Sequence, residues 1–170
     1  FKMHPYWEST DLDYYVTASR LMDYQCAKKG ISHNKILPFG IPVQKKFSKS
    51  IPKEEAKKIL GIDNEYTILI MMGSMGYGNV TKIVRQIDNI GADFQMLCVC
   101  GHNTKAQKSL EKMNIRHKVY SYGYVDNVDI MMDAAEFIIT KPGGVTMSES
   151  LAKGLPVILV NPIPGQEDRN

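Results

Sequence analysis

"YTILIMMGSMGYGNVTKIVRQIDNIGADFQMLCVCG", residues 66–101, holds the pattern that decides the fold. Its two ends, "YTILIMM" and "FQMLCVCG", are short apolar runs lacking the polar–apolar alternation of a strand with one wet face, so they suit strands buried on both sides. Between them a glycine-rich loop leads into "NVTKIVRQIDNI", an amphipathic segment with helical spacing. The order is therefore strand, glycine loop, helix, strand. The same alternation continues through "TKAQKSLEKM", "KVYSYGYV", "NVDIMMDAA", "EFIITK", "VTMSESLAKG" and "PVILVNP". Such βα repetition predicts an α/β fold with a parallel, doubly wound sheet of about five strands. In sheets of this kind ligands sit beyond the carboxyl ends of the strands, in the loops that enter the helices.

Upstream of residue 66 the pattern differs. "YYVTAS" (14–19) reads as a strand, "RLMDYQCAKKG" (20–30) as a helix stopped by Gly30, and "KILPFGIPV" (35–43) as a strand running into a Pro-rich connector. "IPKEEAKKILGI" follows as a short helix with Pro52 near its first turn and Gly61 at its end. A domain boundary is expected near residues 40 to 50, dividing the chain into 1–42 and 43–170. The start, "FKMHPYW", lacks an initiator Met and begins inside an aromatic segment, which suggests a piece of a longer protein.

Composition removes several function classes. The 170 residues are 44% hydrophobic and 23% charged, ordinary for a globular protein long enough to bury a core. Apolar runs such as Val157 to Val160 fall far short of the roughly 20 residues that span a bilayer, and a cytoplasmic location is expected. The net charge of +3 is carried by the first 60 residues, which hold 11 Lys/Arg against 6 Asp/Glu. That bias fits either solvated lysines or peripheral attraction to an anionic membrane surface at the inner face of the cell membrane. No nucleic acid is expected as a partner. Cys98 and Cys100 alternate along one strand and should share a face as reduced, buried thiols. No metal site is expected, since the cysteines lack partner ligands and Asp11 and Asp13 precede a strand far in sequence from the glycine loops.

Four strand-end loops carry the chemistry. "MGSMGYGN" (72–79) has Gly73, Gly76 and Gly78 ahead of a helix, so that backbone N–H groups and the helix dipole suit a phosphate. Its spacing is neither the G-x-G-x-x-G dinucleotide fingerprint nor a P-loop, and no acid follows the second strand to hold an NAD ribose. "SYGYVDNVDIM" (121–131) could pair its backbone with the edge of a planar base while Tyr124 covers the face; alternatively it is an ordinary strand end with Asp126 capping the next helix. In "ITKPGGVTMSES" (139–150), Gly143 and Gly144 open a helix whose early turns place Thr146 and Glu149 on one side. Val145, Ser148, Leu151 and Ala152 are expected to face the sheet. Glu149 stands about 4.5 Å farther along the axis than Thr146, which suits neutral ribose hydroxyls beside a diphosphate. In "NPIPGQEDRN", the prolines turn the chain out of the last strand and present Gln166, Glu167 and Asp168, an amide and carboxylates suited to vicinal sugar hydroxyls. Each loop alone could be an unliganded turn.

Taken in order, "HPYW", "YYVTAS", "GIPV", the glycine loop, "VCGHN", "GYVDNV" and "TKPGGVTMSESLAKGLPVILVNPIPGQEDRN" resemble the monogalactosyldiacylglycerol synthases and bacterial processive diacylglycerol glucosyltransferases, relatives of the peptidoglycan N-acetylglucosaminyltransferase. The resemblance covers nearly the whole chain and is most specific in the last segment. It implies the two-domain GT-B fold, with 1–42 as the end of the N-terminal acceptor domain and 43–170 as the Rossmann-like C-terminal domain that binds a UDP-sugar. It implies that Gly73, Ser74 and Gly76 approach the diphosphate, Tyr124 and Val125 frame uracil, and Gly143, Gly144 and Thr146 hold phosphates. Glu149 would take the ribose, and Gln166, Glu167 and Asn170 the sugar. The glycine loop departs from the family's run of two or three consecutive glycines, reading Met72-Gly73-Ser74-Met75. The implied activity is inverting transfer of glucose or galactose from UDP to a lipid acceptor such as diacylglycerol, with no cofactor and no obligatory metal. Its base is expected in the N-terminal domain, where His4 is a weak candidate, and this chain alone is expected to bind UDP or UDP-sugar without turnover. The alternatives are a non-catalytic nucleotide-binding domain and a UDP-N-acetylglucosamine transferase of cell-wall synthesis.

Overall fold

A computed structural model of the chain describes residues 11–73, 79–163 and 167. The chain divides into two compact units, one running to Val43 and the other beginning at Gln44.

In the first unit, strands β1 (Tyr15–Val16) and β2 (Ile36–Leu37) pair in parallel, Tyr15 opposite Ile36. They are shorter than the stretches read as strands, because the Thr17 N–H still bonds the Leu37 carbonyl but the chain then turns back at Phe39 and Gly40. A 3₁₀ turn (Arg20–Met22) leads into helix α1 (Asp23–Lys28). Gly30 ends it in the left-handed region at φ +80°, a conformation glycine adopts without penalty. Cys26 and Ile36 are buried together, with Tyr15, Met22 and Ile31 packed around them.

The second unit is the βα repeat. Strands β3 (Thr67–Met71), β4 (Gln95–Val99), β5 (Lys118–Tyr122), β6 (Phe137–Thr140) and β7 (Val157–Leu159) form one parallel sheet in the order β5-β4-β3-β6-β7. The order runs one way from β3 to β5 and the other from β3 through β6 to β7, so the reversal falls between β3 and β6. Every residue of β3 and β4 is buried, as suits their largely apolar composition, and the two polar residues, Thr67 and Gln95, bond each other at 2.9 Å. Helices α3 (Val80–Asp88) and α4 (Thr104–Glu111) contribute Val80, Ile83, Val84 and Leu110 to a core with Ile68, Ile70, Met72, Met96 and Cys98. Because side chains alternate along a strand, Leu69, Leu97 and Ile138 point to the opposite face, where α5 (Val128–Ala134) buries Met131 and Met132. Helix α2 (Lys53–Leu60) packs on α5.

Cys98 and Cys100 are free and buried in that core, as their spacing implied. Burial, and secondarily the neighbouring Cys100, pushes the Cys98 thiol well above the usual range, so it is inert packing material. Buried ion pairs brace the helices. Lys153 and Asp133 meet at 2.6 Å with side chains 1% and 6% exposed, and Lys57 reaches Glu136 at 3.4 Å.

Helix α6 (Gly144–Ala152) is rotated from the expected orientation. Val145 and Leu151 are 58% and 71% exposed, Ala152 is exposed, and the residue that packs inward is Ser150. Local hydrogen bonding makes this tolerable: the Ser150 hydroxyl donates to the Thr146 carbonyl and that of Ser148 to the Gly144 carbonyl, both at 2.8 Å. A serine satisfied by its own helix is small enough and neutral enough to be buried. The rotation turns Thr146 and Glu149 toward the carboxyl ends of the strands.

Candidate functional site

The carboxyl ends of β3, β4, β5 and β6 open into a pocket of about 580 Å³. Met72 and Gly73 follow β3, Gly101 follows β4, Tyr124 and Val125 follow β5, and Lys141, Gly143, Gly144, Thr146 and Glu149 follow β6. Gln44, Lys46 and Phe47 close one side from the 3₁₀ turn Lys45–Ser48, which touches α6. The pocket therefore straddles the reversal of strand order, where open α/β sheets leave a crevice.

Each wall has a local reason for its shape. Gly73 leaves β3 at φ +85°, and a Cβ there would lie 3.0 Å from Lys141 Cε. Gly143 is the N-cap of α6 and brings no side-chain acceptor to the helix start. By contrast the Asn79 and Asn103 side chains cap α3 and α4, accepting from the Lys82 and Ala106 N–H groups at 3.0 Å. The first-turn N–H groups of α6 thus face a pocket rather than a cap. Tyr124 is 60% exposed, with its ring stacked on His102 at 5.0 Å and 12° between planes, which sets its orientation before any ligand arrives. Asp126 does not cap α5. That position is Asn127, which makes no side-chain cap bond, and the Asp126 carbonyl instead accepts from Lys46 Nζ.

Cations and carboxylates are paired around the pocket. Lys46 also pairs with Asp129 at 3.6 Å, and it lies close enough to Glu149 to lower that carboxyl's pKa. Burial outweighs this effect and leaves Glu149 above the ordinary carboxylate range. Lys141 lies between Gly73 and Gly143, its Nζ 2.5 Å from Glu167 Oε1. Glu167 is 4% exposed, and its other oxygen accepts from the Ile163 N–H at 3.1 Å. Among the described residues no group of three or more His, Cys, Asp or Glu could hold a metal ion.

Of the residues expected at the site, Gly73, Tyr124, Val125, Gly143, Gly144, Thr146 and Glu149 line this one pocket. Glu167 is adjacent, engaged by Lys141 and Ile163 behind the lining. His4, Ser74, Gly76, Gln166 and Asn170 lie outside the described residues. The reading missed Lys141, Lys46, Gln44, Phe47 and His102. A cation between a strand end and a glycine pair was the available signal for Lys141; the 44–47 segment carries none, being brought in by the chain path alone.

The family model for glycosyl transferases group 1 matches residues 52–169, and that for monogalactosyldiacylglycerol (MGDG) synthase matches residues 1–43. The chain belongs to the group 1 glycosyl transferases. Across its whole length it is 33% identical to the processive diacylglycerol beta-glucosyltransferase of Bacillus subtilis (strain 168), covering 45% of that relative. Over 84% of its length it is 36% identical to a probable chloroplastic monogalactosyldiacylglycerol synthase of Glycine max, covering 29% of it. The chain thus spans less than half the length of these curated relatives. Among solved structures it is similar to Anabaena HepE in complex with UDP-glucose, with a TM-score of 0.58 at 13% identity over 88% of this chain and 45% of that one. The glycosyl transferase fold expected from the sequence, GT-B with a Rossmann-like C-terminal domain, is the one found.

Proposed function

We propose that the chain supplies the donor half of a glycosyltransferase that moves glucose or galactose from UDP to a lipid acceptor such as diacylglycerol. The observation that carries this reading is the convergence of Gly73, Tyr124, Gly143, Thr146 and Glu149 on one pocket at the switch point of the sheet. The names of the relatives, a diacylglycerol glucosyltransferase and a monogalactosyldiacylglycerol synthase, support the acceptor class, and the UDP-glucose in the HepE structure supports the donor.

On this reading the diphosphate lies against Gly73 and the first turn of α6, where N–H groups and the positive dipole end stabilise charge as UDP departs. Thr146 donates its hydroxyl to a phosphate. Glu149 accepts from the ribose hydroxyls, a role available to a half-buried carboxylate one helical turn from the phosphates. The Tyr124 ring, preset by His102, covers the base, with Val125 at its edge. Gln166 and Asn170 take sugar hydroxyls, while Glu167, expected beside them, is engaged by Lys141 and the Ile163 N–H. Transfer is inverting, by attack of the acceptor hydroxyl on the anomeric carbon, with the base supplied by the acceptor half of the full-length protein and no metal required. The enzyme works in the cytoplasm and at the inner face of an anionic membrane, where its lipid acceptor resides.

Assaying the full-length protein with UDP-glucose, UDP-galactose and UDP-N-acetylglucosamine against diacylglycerol in vesicles tests the reading. Glycolipid formed from one of the first two donors is expected. Product only from UDP-N-acetylglucosamine, or no product with any donor, would overturn it.

A further inference from the structure

We propose that Lys141 is the cation that binds the diphosphate in this pocket and that Glu167 is the residue that positions it; the inference rests on the nucleotide-sugar reading above. Lys141 is the first residue beyond β6 and lines the pocket wall. Its side chain is only 18% exposed, so a favourable counter-charge has to accompany its ammonium. That counter-charge is Glu167, whose Oε1 accepts from Nζ at 2.5 Å. Glu167 is itself held at both ends of the residue: its Oε2 accepts from the Ile163 N–H at 3.1 Å, and its own N–H donates to the Ile163 carbonyl at 2.9 Å.

The placement is specific. A Cβ built on Gly73 would meet Lys141 Cε at 3.0 Å and Nζ at 3.9 Å, and one built on Gly143 would lie 3.9 Å from the same two atoms. The ammonium is therefore wedged between the two glycine-lined strand ends that face the phosphates. The missing side chain of Gly73 leaves room for it, whereas a Cβ on Gly143 would only make ordinary van der Waals contact. The pocket's other lysine, Lys46, is already committed to the Asp126 carbonyl and to Asp129, and its influence falls on Glu149. Each end of the pocket thus pairs a cation with a carboxylate, Lys141 with Glu167 beside the glycines and Lys46 near Glu149, and Lys141 is the cation that stands at the glycine end, where the phosphates are read. An ammonium has three N–H donors. With one directed back to Glu167, the others remain for phosphate oxygens, and charge-assisted bonds of this kind are the strong class.

The test is calorimetric titration of the full-length protein with UDP and with uridine. Lys141→Met should weaken UDP about tenfold or more, the scale of one lost charge-assisted hydrogen bond, and leave uridine unchanged. Lys141→Arg, which keeps the charge and guards against a folding failure of the Met variant, should recover most of that loss. Glu167→Ala should weaken UDP several-fold in the wild-type background and have no effect in the Lys141→Met background. An unchanged preference for UDP over uridine in Lys141→Met would overturn the role of Lys141. A Glu167→Ala effect that persists without Lys141, or tighter UDP binding in Glu167→Ala, would overturn the positioning role. If the wild type itself binds UDP no better than uridine or binds neither, the nucleotide reading fails instead.

Discussion

Replacing Gly73 by alanine probes fold and site with one methyl group. Gly73 sits at φ +85°, where a Cβ crowds the following carbonyl, at a cost of about 1–2 kcal/mol for an L-residue. The same methyl would stand 3.0 Å from Lys141 Cε, and since that atom is near the far end of a flexible side chain, Lys141 gives way rather than the backbone. Stability should therefore fall by at least about 1–2 kcal/mol, the conformational term, with a further loss because the shift of Lys141 weakens its pairing with the buried Glu167, and UDP binding should fall with the displaced ammonium. Gly61 is the internal control. It has φ +66° at the end of α2, but nothing lies within 4 Å of its Cβ position. Gly61→Ala should show the conformational loss alone in urea unfolding and no change in UDP affinity. If Gly73→Ala unfolds like the wild type, or loses no more UDP affinity than Gly61→Ala, the reasoning about this strand end is wrong.

Other outcomes follow from the same contacts. Removing one partner of the buried Lys153–Asp133 pair, as in Lys153→Met, leaves a carboxylate 6% exposed and should destabilise by about 3–5 kcal/mol in urea unfolding; a change under about 1 kcal/mol would refute its burial. Burial opposes ionisation of Asp88, but the His117 and Arg116 backbone N–H groups and the His117 imidazole overcome it and hold the carboxyl below its ordinary value. A depressed folded value means that the stabilisation is present above the unfolded pKa of about 4 and is lost as pH falls through the folded one. Asp88→Asn should accordingly flatten the acid limb of a stability–pH curve. Asn103→Ala should cost about 1 kcal/mol in thermal unfolding through loss of the α4 cap, and leave UDP affinity untouched.

What the sequence makes legible is what local chemistry controls. The apolar runs at 66–72, 94–101 and 136–141 can be read as buried strands because no polar face interrupts them, and parallel order follows from the helices between them. The glycines at 73, 143 and 144 can be placed for the same reason. Helix α6 differs in rotation because the apolar Val145, Leu151 and Ala152 read as its packed face, while the residue that is buried is Ser150, whose hydroxyl is spent on the Thr146 carbonyl one turn back. Lys141 was missed because a lysine at a strand end is usually solvated; only the fold brings Glu167 to it across 26 residues. Likewise Lys46 and Phe47 lie in a connector without a motif, and their place in the pocket is a product of tertiary packing.

Titrating UDP into the full-length protein and its Glu149→Ala variant in a calorimeter decides whether this pocket holds a uridine diphosphate with its ribose on Glu149. UDP binding should weaken by roughly 1–3 kcal/mol in the variant, the scale of an unmade buried hydrogen bond. Equal affinity in the two proteins would contradict it.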